Sequence, residues 1–350
     1  MRLSDLVRKS AAKNQDAEPQ LSFAAAGSRQ SEVAGRPSEV ADRSEDRPPR
    51  TEPSDRSEVS HYYQSARQEV ERILDLASQG TTFSVGRLQQ IVTGMVNGLR
   101  TGDELLVHAL NDNETGVDLA RQMVNTSILA VKIAQGANCR VEELPWVGLA
   151  ACLHDIGMVI VPRRILEKPD GLAAEETALV RRHPEKGFRI LQSLGSEFEW
   201  LANVALQEHE REDGSGYPRE LKGENIHEYA KVVGLADTYE ALTHFRPYRP
   251  AKPAFDVSRN LLTTDRTKFP DHLLRGLIHG LSTFPVGTYV RLNNSEAARV
   301  VATNPSFPLR PIVEVVVGSK GERLDPSRRL DLSTNTLLYI TGGSSATGAD

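Results

Sequence analysis

Two cysteines, Cys139 and Cys152, are all that the 350 residues carry. That excludes a disulfide framework, and thiols this sparse fit a reducing compartment. A basic excess is also missing, because the formal net charge is −5. Long-range attraction to a nucleic acid polymer or to a membrane surface is therefore not expected. A phosphate-bearing ligand would need local arginine or metal charge. No run of about twenty apolar residues occurs, so no membrane-spanning helix is expected. The opening Met-Arg-Leu-Ser-Asp-Leu-Val-Arg-Lys is followed by no apolar core of signal-peptide length. Together these absences predict a cytoplasmic protein.

What is present reads as a modular chain. Hydrophobic residues make up 39% and charged residues 25%, ordinary for a soluble globular protein. The length suggests about two or three domains. Residues 11–59 are rich in Ser, Glu, Asp, Arg and Pro and nearly devoid of large apolar side chains. Such a stretch cannot bury enough surface to offset its ordering entropy, so 1–59 is expected to be disordered. Leu3, Leu6 and Val7 could form a short amphipathic anchor within it. From 61 to 78, Tyr62, Ala66, Val70, Ile73, Leu74 and Ala77 recur at helical spacing. Gly80 stops that helix. Ser84 is the expected N-cap of a second, which carries Val85, Leu88, Ile91, Val92, Met95 and Leu99. Residues 60–104 thus predict a helical hairpin, packed on the next domain or used for dimerisation or signal input. The helical pattern continues through 105–282. It then gives way to short β-branched runs such as Tyr289-Val290-Arg291-Leu292 and Ile312-Val313-Glu314-Val315-Val316-Val317, separated by Asn293-Asn294 and Ser319-Lys320-Gly321. Residues 283–342 therefore predict a small β unit of about four or five strands. Residues 343–350 are expected to be a disordered tail. The fold class is mainly α, a helical bundle with a β appendage.

The centre of the chain holds an ordered set of metal-ligand side chains. His154-Asp155 is a vicinal pair behind an apolar helical stretch. His183 follows in Arg-Arg-His-Pro-Glu-Lys-Gly, then Glu208-His209, and last Asp237 in Gly-Leu-Ala-Asp. Singly, a His-Asp dipeptide is ordinarily a surface pair. Four such elements in order, each beside an apolar run, point to a metal centre. Mixed imidazole and carboxylate suits iron or manganese, and zinc or nickel less well. A carboxylate between two imidazole-rich groups can bridge two divalent ions about 3.5–4 Å apart, which stabilises the attacking and leaving oxygens of a phosphodiester. Asp155 is the candidate bridge and catalytic residue. His154, Asp155 and Asp237 would hold one ion. Asp155, His183, Glu208 and His209 would hold the other.

Two further segments are candidates for the ligand. In Glu210-Arg211-Glu212-Asp213-Gly214-Ser215-Gly216-Tyr217-Pro218, two glycines allow a tight turn and a close backbone approach. Alone this is a generic turn; beside Glu208-His209 it becomes a loop at the mouth of the site. In Arg246-Pro247-Tyr248-Arg249-Pro250, two arginines stiffened by prolines could clamp phosphate oxygens. A solvated basic turn is the alternative. Arg211, Gly214, Gly216, Tyr217, Pro218, Arg246 and Arg249 are accordingly the substrate-binding candidates.

Taken together, these residues resemble the HD-GYP family. The resemblance is carried by Leu153-His154-Asp155-Ile156-Gly157, Ile165-Leu166-Glu167-Lys168-Pro169, His183 with Gly187, the 210–218 loop, and Ala236-Asp237 through Arg249, and it covers about residues 109–262. It implies an HD-type helical bundle with two divalent metals, hydrolysing cyclic di-GMP to the linear dinucleotide or GMP. It also implies that the β-rich end is an extension found in some members. Three positions depart from the family pattern. Met158 stands where the family has a lysine that can reach phosphate, and a thioether supplies no such charge. Glu208-His209 replaces a His-His pair. Gln122 stands where a ligating histidine is expected, with Asp118 one turn earlier where some members have a third-metal carboxylate. The expectation is one tight and one weak metal. Three functions compete on these grounds: a cyclic di-GMP phosphodiesterase, a catalytically weakened cyclic-dinucleotide sensor or signalling scaffold with a protein partner, and a phosphohydrolase for another nucleotide.

Overall fold

The computed structural model describes residues 54–343, apart from residues 113, 115, 282, 283, 285, 305, 306, 308 and 336. The expected disorder of 1–53 and 344–350, and the anchor at Leu3, Leu6 and Val7, lie outside the described residues.

Helix α1 spans Ser54–Ser78 and α2 spans Gly86–Thr101. The start of α1 falls inside the stretch expected to be disordered. Ser-Asp-Arg-Ser-Glu-Val at 54–59 holds a single apolar residue, so no periodicity marks where the helix begins. Ser84 caps the start of α2 as expected: Val85 already has helical φ −94° and ψ −4°, and the Ser84 hydroxyl accepts the Gly86 N–H at 3.3 Å. Helix α3 (Glu104–Leu110) leads into α4 (Leu119–Gly136), which is buried along most of its length. Around α4 pack α1, α3, α5 (Leu144–Leu153), α10 (Glu228–Thr243) and α12 (Asp271–Leu281). Tyr63, Val70 and Ile73 of α1 and Leu88, Val92 and Met95 of α2 belong to the same apolar core as Ile128, Leu149 and Leu277. The hairpin is thus part of the bundle's core. The stretch Val141–Ile160 is apolar enough to suit a membrane by composition, but most of it is buried in the bundle. It also carries His154 and Asp155.

Short helices complete the bundle: α6 (Arg163–Leu166), α7 (Ala174–Val180), α8 (His183–Gln192), α9 (Glu199–Gln207) and α11 (Ala254–Thr263). A five-stranded antiparallel sheet follows in the order β4-β3-β2-β1-β5. Its strands are β1 Tyr289–Leu292, β2 Ala297–Ala302, β3 Ile312–Val317, β4 Arg323–Asp331 and β5 Ile340–Gly343. Val290 pairs with Ala298 and Val300 with Val313, so alternate residues share one face and form a separate small core with Leu292, Val315 and Leu332. Phe255 of α11 stacks on Phe284 of that core, with centroids 5.2 Å apart, and joins the sheet to the bundle. Strand β4 carries no apolar alternation. It is an edge strand, largely exposed and interrupted by Pro326, a residue tolerated where the ladder is open on one side.

Candidate metal centre

Local packing aims each imidazole inward. His154 follows the last residue of α5, and its Nδ1 lies 2.7 Å from the Ala151 carbonyl. His183 opens α8, with Nδ1 2.7 Å from the Val180 carbonyl. A carbonyl only accepts, so Nδ1 donates in both rings and a neutral ring presents its Nε2 lone pair to the centre. Gly157 lets the two ligand-bearing turns meet. A Cβ there would lie 1.9 Å from the His183 carbonyl oxygen and 2.6 Å from the Gly187 nitrogen.

Around these rings converge three carboxylates. His154 Nε2 lies 3.6 Å from an oxygen of each of Asp155, Glu208 and Asp237. His183 Nε2 lies 3.1 Å from Asp155 Oδ1 and 3.5 Å from Glu208 Oε1. His209 Nε2 approaches His183 Nε2 to 3.0 Å. Two sets of ligand atoms result: Asp155, His183, Glu208 and His209 in one, and His154, Glu208 and Asp237 in the other. Glu208 belongs to both. The expected bridge, Asp155, also faces both His154 and His183, so two carboxylates lie between the imidazoles where one was anticipated.

The donor set fits divalent cations. Glu208 is fully buried, and neither of its oxygens has a hydrogen-bond partner; His154 Nε2 has none either. Buried polar atoms left unpaired are costly, and a buried charge more so. A cation among them would remove that cost. The electrostatics agree. Burial pushes the Glu208 carboxyl up to about 7. Burial alone would lower His183, but Asp155 and Glu208 outweigh it and hold the imidazole at about 9. His154 is likewise raised against its burial by Glu208 and Asp155. Burial and the neighbouring His183 push His209 down. Asp237 is held below the usual carboxylate range, its burial outweighed by His154. Without a metal, protons take up part of the role of cations.

The 210–218 loop is tied down rather than open. Glu210 accepts from the Arg219 and Leu221 backbone N–H groups at 2.7 and 2.9 Å. Gly214 has φ +81°, and a Cβ on Gly216 would lie 2.4 Å from the His209 carbonyl oxygen. Tyr217, which precedes Pro218, stacks on the His209 ring with centroids 4.6 Å apart and planes at 18°. A cavity of about 220 Å³ opens onto Asp155, His183 and His209; Gln122, Met158, Tyr217 and Arg246 form part of its walls.

Gln122 lines the same cavity as Asp155, His183 and His209. Three other expected site residues have different partners in the fold. Asp118 caps α4 through the Arg121 N–H at 2.9 Å and pairs with Arg67, so its oxygens are engaged away from the centre. Arg211 is a strut behind the site. Its Nη1 donates to the Glu208 and Glu210 carbonyls at 2.8 and 2.9 Å, and its guanidinium lies over Phe269. Arg249 donates to the Ala241 and Leu242 carbonyls at the end of α10, which satisfies helix-terminal acceptors rather than phosphate. Arg246 does line the cavity, but it is paired with Glu240, a buried carboxylate that no motif in the sequence marks.

Residues 104–265 match the family model described as an HD domain, and residues 289–346 match a KOW domain associated with the HD domain. The chain is 35% identical over 185 residues to the cyclic di-GMP phosphodiesterase PA4108 of Pseudomonas aeruginosa, covering 53% of this chain and 44% of that protein. It is 27% identical over 208 residues to the 3'3'-cGAMP-specific phosphodiesterase 2 of Vibrio cholerae, covering 58% and 39%. The chain therefore spans less than half the length of either relative. Among solved structures it resembles Bd1817, an HDG"Y"P protein from Bdellovibrio bacteriovorus, at 20% identity and a TM-score of 0.53, covering 63% of this chain and 70% of that one. That likeness concerns the fold.

Proposed function

We propose that the protein is a metal-dependent phosphodiesterase of bacterial second-messenger signalling, acting on cyclic di-GMP; the match of residues 104–265 to an HD domain and the likeness to cyclic di-GMP phosphodiesterases support an HD-GYP-type domain. The observation that carries this reading is Glu208, buried without a hydrogen-bond partner between His154 and His183. We assign two divalent ions, iron or manganese, to the two ligand sets: His183, His209, Asp155 and Glu208 for one, His154, Asp237 and Glu208 for the other. Bound there, such ions would supply Lewis-acid charge to the oxygens of a phosphodiester.

The chain's own groups prepare the site. The Nδ1 bonds of His154 and His183 fix both ring planes before any ligand arrives. Tyr217 holds His209 by stacking. Glu240 orients Arg246 toward the cavity, where its remaining N–H groups can donate to a phosphate oxygen. The test is turnover of cyclic di-GMP by full-length protein loaded with iron or manganese. Linear product that disappears on Asp155→Asn is expected. Intact cyclic di-GMP, unchanged by that substitution, refutes the reading.

A second reading rests on Met158. It lines the cavity where the resemblance calls for a lysine, so one source of phosphate charge is absent. A cyclic-dinucleotide sensor would bind and not turn over, and homodimerisation through α1 and α2 and a signalling partner belong to that reading. Since relatives of both kinds are similar, 3'3'-cGAMP is the competing substrate, and side-by-side turnover decides between them.

A further inference from the structure

The charges around the cavity are unevenly committed. Arg211 and Arg249 donate to backbone carbonyls, and Arg246 is paired with Glu240. Arg181 differs. Its side chain is exposed, and among the described residues it has no carboxylate partner. Its guanidinium carbon lies over the Tyr217 ring, 5.0 Å from the centroid. Tyr217 lines the cavity and stacks on His209, so one ring separates this free cation from a proposed ligand. The backbone leading into Arg181 is also fixed, because Val180 lines the cavity and its carbonyl accepts from His183 Nδ1. A guanidinium attracted to an aromatic face by its charge still has N–H groups to donate.

Resting on the cyclic-dinucleotide reading, we infer that Arg181 binds the second phosphodiester of the ligand, the one that does not react. A cyclic dinucleotide carries two negative phosphodiesters, and the metal centre faces one of them. The other meets a wall that is largely apolar, with Ile165, Leu166 and Met158. A phosphate anion placed there unpaired is costly. Arg181, exposed and without a carboxylate partner among the described residues, lies over the Tyr217 ring at the edge of that cavity. It makes the site select ligands with two phosphates, a contact equal in ground and transition states.

Calorimetry on the metal-loaded full chain tests this with two probes: cyclic di-GMP, and linear GpG, which has the same bases and a single phosphodiester. Arg181→Gln is expected to weaken cyclic di-GMP by about tenfold or more and GpG by less than about threefold. Metal content, measured in parallel, should match the wild type. Equal weakening of both probes would mean that Arg181 acts only through Tyr217 and His209, and it overturns the inference. No weakening of either also overturns it. Wild-type protein that binds no cyclic di-GMP removes the functional reading itself, and this inference with it.

Discussion

Metal loading of the centre should be a proton-coupled reaction with a steep pH dependence. His183 sits at about 9 because Asp155 and Glu208 outweigh its burial, so in metal-free protein it is almost fully protonated at pH 7. His154 is raised in the same direction, and Glu208 stands at about 7. A metal needs these Nε2 and carboxylate oxygens unprotonated, so loading at pH 7 should release about two protons. Competition at His183 alone covers about two pH units. That makes binding about 100-fold weaker at pH 7 than above pH 9, on the order of 3 kcal/mol. The metal-free fold has the opposite slope. An imidazole raised from 6.5 to about 9 contributes stability that is complete below 6.5 and lost as pH rises through 9. Between pH 6.5 and 9 the metal-free protein should therefore become less stable while the loaded protein binds more tightly. Titration calorimetry in buffers of different ionisation heat gives the proton count. Scanning calorimetry with and without chelator gives the stability gap, which should widen steadily with pH. No proton release at pH 7, or a chelator effect that is the same at both ends of that range, would refute the electrostatic account of the site.

Four substitutions probe other parts of the argument. Gly216→Ala forces a Cβ against the His209 carbonyl and the Arg211 nitrogen, at 2.4 and 2.5 Å, so turnover should fall by about tenfold or more while far-ultraviolet dichroism is unchanged. Arg249→Ala strips donors from the last carbonyls of α10, so urea unfolding should show a loss of about 1–2 kcal/mol. Its KM for cyclic di-GMP should stay within about twofold, and a large rise would restore the clamp role. Tyr63→Phe leaves Asn125 Oδ1 without its buried donor, which now lies at 2.8 Å, and should cost about 1–2 kcal/mol in the same assay. Met158→Lys places a cation on the cavity wall and should raise kcat/KM by about tenfold; an unchanged value would show that phosphate does not pass that wall.

The side chains gathered at the candidate centre were legible in the sequence because His and Asp are rare beside apolar helical runs, and His154, Asp155, His183, His209 and Asp237 all stood out for that reason. The dual position of Glu208 was not. Which way a side chain points at the end of α9 depends on how α5, α8 and α9 pack, and no local spacing encodes that. Strand β4 was hidden because an exposed edge lacks the alternation by which strands are recognised.

The arginines show a different limit. In sequence, Arg211, Arg246 and Arg249 read as phosphate clamps because they sit beside turns and a ligand. In the fold, helix-terminal carbonyls and a buried carboxylate claim them first. Such acceptors cannot be left unpaired inside the protein, whereas an exposed arginine has no such obligation. The availability of a cation for ligand is therefore what remains after the interior acceptors are satisfied. That remainder is computed over the whole bundle, which is why Arg181, unremarked in its basic run, is the guanidinium left free on a ring of the cavity.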